Sequence, residues 1–147
     1  MSIRIDVDKS QLTHYLKAVA ARRAWAFSLF RDVGAELVAE EMRRQAPRRT
    51  GRLADSIQAR DVPRGFAVVP TVDYAVFVEY GTRPHVILPR RARALRFEVN
   101  GDIVYCTRVH HPGTAPNPFV GRTAEWAAEE LPRLAAEIVG AWVHGGL

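Results

Sequence analysis

The feature that most constrains the fold is a long stretch without proline near the start of the chain. Residues 9–45 contain no proline and one glycine, Gly34. Apolar residues recur there at helical spacing, namely Leu12, Leu16, Val19, Phe27, Phe30, Val33 and Leu37. Asp8 or Ser10 is suited to cap the start, and Pro47 ends the helix because a residue before proline avoids helical angles. The pattern predicts a helix over residues 9–46.

A helix of this length has a geometric consequence. At 1.5 Å per residue it spans roughly 55 Å, which exceeds the diameter of a domain built from 147 residues. We therefore expect either an end that projects from the body or a break, near Arg22 and Arg23 or near Gly34.

The middle of the chain, residues 50–110, has the composition of strands and turns. Two pairs of β-prone runs flank turn residues: 56–62 and 66–69 around Pro63-Arg64-Gly65, and 95–99 and 103–109 around Asn100-Gly101-Asp102. Asn-Gly between such runs is a strong hairpin signal. Residues 73–80 fit either a strand or a helical turn, and the sequence leaves both open.

A second helix is predicted over residues 117–143. Asn117 is a favourable N-cap, and Pro118 suits the first helical position. Apolar residues follow at helical spacing from Phe119 onward. Pro132 is expected to kink or divide this helix because it lacks a backbone donor, and Gly145-Gly146 is expected to end it.

These elements predict an α+β fold in one domain over residues 1–147. It has a long N-terminal helix, a central mostly antiparallel sheet with a projecting β-hairpin, and a C-terminal helix. A chain of 16.5 kDa with 48% hydrophobic residues has enough apolar surface for one core. No apolar run approaches the ~20 residues of a membrane span, and no secretory signal is evident, so no membrane partner is expected.

The charge is basic and almost entirely arginine. Lys+Arg total 21 against Asp+Glu 16, giving +5, and only Lys9 and Lys17 are lysines. The arginines are dense in two stretches, one at Arg43, Arg44, Arg48, Arg49 and Arg52 and one at Arg83, Arg90, Arg91, Arg93 and Arg96. Clustered positive charge fits a solvated or subunit-interface surface, and it also fits contact with nucleic acid.

No set of residues in the sequence assembles an active site. His110 and His111 are adjacent and would face opposite sides of a strand, so with His85 they make a poor zinc site. Ser56 is outside a nucleophile elbow, and Cys106 reads as a small core residue. No phosphate-binding glycine loop occurs. We expect no enzymatic activity, no bound metal and no cofactor.

Three compact motifs stand out instead. The first motif, residues 46–57, reads A-P-x-x-T-G-x-L-x-x-S-I, where Thr50 is suited to cap a short turn. The second motif, residues 74–82, reads Y-A-x-x-V-E-Y-G-T, and its lone acid Glu79 needs a partner, for which nearby arginines are candidates. The third motif, residues 111–119, combines H-P-G-T with N-P-F. Each also reads simply as a corner that defines the fold.

In this order and spacing, the motifs resemble the tailed-phage gene-product-ten-like neck family, also described as tail-component or head–tail connector proteins. Residues 85–109 look like the hairpin insertion of longer members. The residues that carry the resemblance are Pro47, Thr50, Gly51, Leu53, Ser56, Ile57, Tyr74, Glu79, Gly81, Thr82, His111, Pro112, Gly113, Thr114, Pro118 and Phe119.

The resemblance implies a virion structural protein without catalytic residues, from a phage, prophage or gene-transfer particle. Such a subunit would be assembled in the bacterial cytoplasm and close into a ring at the head–tail junction, around the DNA channel. Its partners would be other copies of itself, other connector proteins, tail-tube or tail-terminator proteins and, transiently, genomic DNA. A heterologous ring needs two complementary patches on each subunit.

Two other functions remain open. Arginines beside aromatic residues suit a sequence-tolerant nucleic-acid-binding module, and the three histidines suit a small metal hydrolase. Pro84 and Pro89 should keep residues 83–96, the arginine segment, extended and projecting. We expect the arginine segment to contact a neighbouring subunit, because strong binding to phosphate would oppose DNA passage. Weak DNA binding by the isolated protein should vanish by physiological salt.

Overall fold

A computed structural model describes residues 10–143 and confirms a mixed α+β fold. The elements in chain order are α1 (Ser10–Gln45), α2 (Arg52–Asp55), β1 (Ile57–Val62), β2 (Gly65–Pro70), α3 (Ala75–Tyr80), β3 (His85–Ile87), β4 (Leu95–Val99), β5 (Asp102–Cys106), β6 (Val109–His111) and α4 (Phe119–Val143). The predicted cap at Asp8 and the predicted stop at Gly145-Gly146 lie outside the described residues.

Of the two alternatives expected for helix α1, a break and an end that projects from the body, the break does not occur: the helix runs without interruption for 36 residues. Gly34 is a packing position instead: a Cβ there would lie 3.1 Å from the Phe66 ring and 3.3 Å from Leu131. The missing side chain lets α1 approach β2 and α4 closely. Near the N-terminal end, Tyr15 is 64% exposed, whereas Ala39 is fully buried. The core therefore holds only the C-terminal part of the helix.

The strands form three separate antiparallel pairs, β1–β2, β3–β6 and β4–β5, and not one central sheet. Prolines at positions 70, 84, 89 and 112 end or flank these strands. Proline lacks the amide donor that a ladder needs, so it confines pairing to short stretches. In the β4–β5 hairpin, Asn100 and Gly101 both have positive φ, 53° and 92°, as a two-residue turn of this kind requires.

Helix α3 resolves the open assignment of residues 73–80 in favour of a helical turn. Helix α4 continues through Pro132 and is not divided there; a bend at this residue stays a prediction. Its buried residues Phe119, Thr123, Ala127 and Ile138 recur at helical spacing, and α4 packs along α1 with this face.

The hydrophobic core lies at the C-terminal end of α1. Its buried residues are Ala39, Met42, Ala46, Leu53, Ala54, Ile57, Ala75 and Phe119. Six of these eight belong to the three motifs, namely Ala46, Leu53, Ala54, Ile57, Ala75 and Phe119, and the other two are on α1. Phe119 has no exposed surface, which confirms that it docks α4 into the core.

Replacing Phe119 with alanine should be among the most damaging single changes. Truncating a fully buried phenylalanine costs about 3–5 kcal/mol, so Phe119→Ala should lower the melting temperature and the free energy of unfolding sharply. The matched control is Phe27→Ala, also within a helix but 52% exposed in the wild-type chain. Equal stability of the two variants would contradict the docking role of Phe119.

Candidate functional site

The first motif turns the chain from α1 into β1. Gly51, with φ of 82°, occupies the cap position of α2 without a side-chain cap bond, so the expected capping by Thr50 is wrong. The Ser56 hydroxyl donates to the Leu53 carbonyl at 2.7 Å, and the Ser56 carbonyl accepts bonds from the Thr71 amide and hydroxyl, both at 3.0 Å. Ser56 is thus a buried link between α2 and the segment after β2.

The second and third motifs are joined by their backbones. The Thr82 amide donates to the Thr114 carbonyl at 2.9 Å, and the Thr114 amide donates back to the Thr82 carbonyl at 3.1 Å. Gly81 and Gly113 flank this bridge with φ of 70° and 89°. A Cβ on Gly81 would collide with the Thr114 carbonyl oxygen, and one on Gly113 with the Thr82 carbonyl oxygen. Both glycines are therefore required by close backbone approach.

Glu79 holds the start of α4. Its carboxylate accepts the backbone N–H groups of Val120 at 2.9 Å and Gly121 at 3.0 Å. The expectation that an arginine pairs with Glu79 is wrong, because the free amides of a helix start provide both hydrogen bonds and favourable dipole charge for a carboxylate.

Arg122 holds the end of α1. Its guanidinium donates to the Gln45 side-chain oxygen at 2.9 Å, to the Gln45 carbonyl at 3.2 Å and to Asn117 Oδ1 at 2.8 Å. The predicted side-chain cap by Asn117 is therefore wrong: its oxygen accepts from a guanidinium, and Glu79 binds the helix amides. A cation is favourable at the C-terminal end of a helix, where carbonyls lack partners.

The network continues to Glu41, a buried carboxylate on α1. It accepts two bonds from Arg44 at 2.7 Å and one from Gln45 Nε2 at 2.6 Å. The Arg44 guanidinium holds the pKa of the Glu41 carboxyl below its ordinary value, against the opposing effect of burial. The same ion pair raises the pKa of Arg44.

The three motifs together line one open groove of about 710 Å³ on the surface above the core. We call it the corner groove; it is formed by side chains from residues 47–53, 74–82 and 114–117. Tyr74 and Phe77 give it exposed aromatic surface, the Phe77 side chain being 57% exposed. Arg49 and Arg52 are exposed on the side of the first motif. Their guanidinium groups form no ion pair within residues 10–143.

The structure places the remaining candidate residues away from the corner groove. All five arginines of the arginine segment are exposed: Arg83 precedes β3, Arg90, Arg91 and Arg93 lie between β3 and β4, and Arg96 is on β4. Their assignment to a subunit or DNA contact stays a prediction.

The three histidines do not all lie on the same side of the β3–β6 pair. His85 and His111 are paired across β3 and β6 with their rings stacked at 5.0 Å, while His110 is on the adjacent register position, opposite Val86. His111 Nδ1 accepts the Gly113 amide at 3.0 Å. Across the part of the chain that the structure describes, no three histidine, cysteine or acidic residues are grouped to hold a metal ion.

Sequence reasoning missed the residues that join the two long helices. Arg122 and Gln45 are 77 residues apart, and neither is in a recognisable motif with the other. Glu79 was singled out, but its partners were not, since backbone amides carry no sequence signal.

This geometry is that of an exposed groove built on three corners, within an α+β chain. The segment from residue 31 to residue 81 matches the family model described as "Bacteriophage HK97-gp10, putative tail-component". The resemblance to the gene-product-ten-like phage family is thereby confirmed over about a third of the chain, which includes the first motif and nearly all of the second. No match was found among curated proteins or among solved structures.

Within residues 10–143, no helix combines the length and apolar character needed to cross a bilayer. What the comparisons give is a similarity to a phage tail-component family over residues 31–81.

Alanine at Gly81 or Gly113 should destabilise the protein strongly. A left-handed conformation costs a non-glycine residue about 1–3 kcal/mol, and the collisions with the facing carbonyls add to that cost. The control is Gly140→Ala in α4, where a Cβ meets nothing within 4 Å and alanine should stabilise by about 1 kcal/mol. Urea unfolding of the three variants measures the difference. Little loss at both Gly81 and Gly113 would mean that the bridge is not formed.

The Glu41 network should make stability depend on pH. Because the folded pKa of Glu41 is lowered, its contribution is complete above the ordinary pKa of about 4.3 and is lost as the pH falls through the folded value. Glu41→Gln should therefore be less stable than wild type at pH 7, with a smaller difference at pH 3. Glu40→Gln, at an exposed neighbouring position, is the control. A difference that is constant across this range would contradict the role of the Glu41 charge.

Proposed function

We propose that this protein is a structural component of the virion of a tailed phage, prophage or gene-transfer particle. In this role it forms part of a ring at the head–tail junction, around the channel through which DNA passes. Its partners are further copies of the same chain, other connector proteins and tail-tube or tail-terminator proteins. The proposed unit is a single neck or tail-component domain that acts without enzymatic chemistry, metal or cofactor.

The observation that carries this proposal is the family match over residues 31–81. The matched segment supplies much of the core and one wall of the corner groove, through the first and second motifs. The third motif completes both, because Phe119 fills the core and Thr114 faces Thr82. The features shared with a tail-component family are thus those that shape the exposed surface above the core.

The chemistry of the corner groove supports binding over catalysis. Among the described residues, its lining has hydroxyl, amide, aromatic and guanidinium groups but no carboxylate, imidazole or thiol. General acid–base catalysis most often uses histidine or a carboxylate. Apolar and aromatic side chains with arginines beside them are instead typical of the central part of protein–protein interfaces.

One arrangement favours the second candidate function, a nucleic-acid-binding module. Arg96 on β4 and Tyr105 on β5 are cross-strand partners and both are exposed, as stacking on a single strand would need. This surface belongs to the hairpin and is not part of the segment that the family model matches. We therefore propose it as a transient DNA contact of the neck protein.

Deletion of the gene in a particle-producing host tests the proposed function. We expect DNA-filled heads and separate tails that do not join, visible by electron microscopy. Wild-type protein supplied from a plasmid should restore joining. The Gly113→Ala variant should not restore it, because this substitution is expected to destabilise the fold. Mass spectrometry of purified complete particles should detect the chain at several copies per particle. Normal, joined particles from the deletion strain would overturn the proposal.

A further inference from the structure

The β4–β5 hairpin, residues 95–106, has apolar side chains exposed on both of its faces. We call this hairpin the arm. Phe97 and Val99 are on one face, and Ile103 and Tyr105 are on the other, as the cross-strand register shows. All four are exposed, Tyr105 to 65%. The strands of the arm pair only with each other within the described chain.

An isolated arm of this kind is unfavourable in water because it exposes apolar side chains and has little structural support. A lone two-stranded hairpin is marginally stable, because it needs a third strand or a packed face for support. Its outer edges also present unpaired backbone groups. Contiguous apolar surface on a projecting element is typical of a surface that is covered by a partner.

The tip of the arm is acidic. Asp102 follows the Asn100-Gly101 turn directly, and Glu98 is one pair further from the turn and on the opposite face. Neither carboxylate has an ion-pair partner in residues 10–143. The corner groove has the opposite character at its edge, where the Arg49 and Arg52 guanidinium groups are likewise unpaired. The chain therefore carries two surfaces that complement each other in charge and in apolar character, on different elements.

We propose that the arm of one copy docks its acidic tip into the corner groove of the next copy. The tip enters the groove edge so that Glu98 on one face and Asp102 on the other each come near a guanidinium of Arg49 or Arg52, while apolar residues of the arm cover Tyr74 and Phe77. This inference rests on the proposed ring, and it identifies the two patches that such a ring needs. Two different patches make a heterologous contact, which repeats from copy to copy and closes when the rotation permits.

A second copy fits the groove better than DNA does. The phosphate backbone would meet the arginines, but it offers nothing apolar for the two groove aromatics. An arm from the same kind of chain satisfies both the charged edge and the aromatic lining.

A charge-swap experiment tests this contact. The groove variant carries Arg49→Glu and Arg52→Glu, and the arm variant carries Glu98→Arg and Asp102→Arg. Each alone should weaken self-association at least about tenfold, because like charges then face each other. An equimolar mixture of the two should restore it, since every contact between unlike copies is again complementary. Sedimentation velocity over a concentration range measures the association.

The matched control is Arg60→Glu with Arg64→Glu, which reverses two exposed arginines of the β1–β2 hairpin outside the groove. It should associate like the wild type. Thermal unfolding of all variants establishes that each is folded. If the groove variant loses only DNA binding and self-associates normally, the groove holds nucleic acid and the proposal is wrong.

Cross-linking gives an independent measurement. Thr50→Cys and Val99→Cys are made separately in a chain that carries Cys106→Ser, because Cys106 is the single native cysteine. Mild oxidation at high concentration should link the two chains when they are mixed, with far less product from either alone. If the native chain associates but shows neither this cross-link nor a charge-swap effect, the proposed arm contact is wrong, while the proposal of a ring still stands. A native chain that neither associates nor joins heads to tails would overturn both.

Discussion

The fold depends on how the end of one long helix meets the start of the other. A helix leaves four amides without partners at its start and four carbonyls at its end, and burying such groups is costly. Here the end of α1 and the start of α4 both border the core. Arg122 binds the Gln45 carbonyl at one helix end, and Glu79 binds the Val120 and Gly121 amides at the other. Each charge also has the sign that its helix end favours.

These two contacts explain why the motifs are needed in that order. Glu79 reaches α4 only if the second and third motifs lie side by side, which the Thr82–Thr114 bridge achieves. The bridge in turn requires Gly81 and Gly113, because any side chain at either position would strike the facing backbone. The bridge residues Thr82 and Thr114, which bring the second and third motifs together, also line the corner groove. Reading the motifs as fold-defining corners or as a binding surface is therefore not a choice between exclusive alternatives.

The sequence was most informative where structure is determined by neighbouring residues. Helical periodicity predicted α1 and α4, and the turn residues predicted the β1–β2 and β4–β5 hairpins, including the positive φ that Asn100-Gly101 supplies. Prediction was poorer where distant segments decide the outcome. Gly34 was considered a weak point in α1, yet its missing side chain is used for packing against Phe66 and Leu131.

The candidate site shows the same division. All three motifs were identified, but not that they share one groove, since residues 47–53 and 114–117 meet only after the chain has folded. The partners of Glu79 lie more than 40 residues away and are backbone groups, which no side-chain pattern reveals. The sequence predicted the strands of the β1–β2 and β4–β5 hairpins but not β3 or its pairing with β6. The division into three pairs reflects prolines whose effect depends on which neighbouring strands are available.

The Thr82–Thr114 bridge also makes the segment between the two residues modular. Residues 83–113 start and end at the Thr82–Thr114 pair of hydrogen bonds. The rest of the fold therefore depends on this segment only through the requirement that its two ends meet. Loop-closure entropy grows only with the logarithm of loop length. Lengthening or shortening this excursion therefore changes the stability of the body little, as long as its ends still join. The length and the side chains of the arm can therefore change during evolution while the contacts between α1 and α4 stay the same.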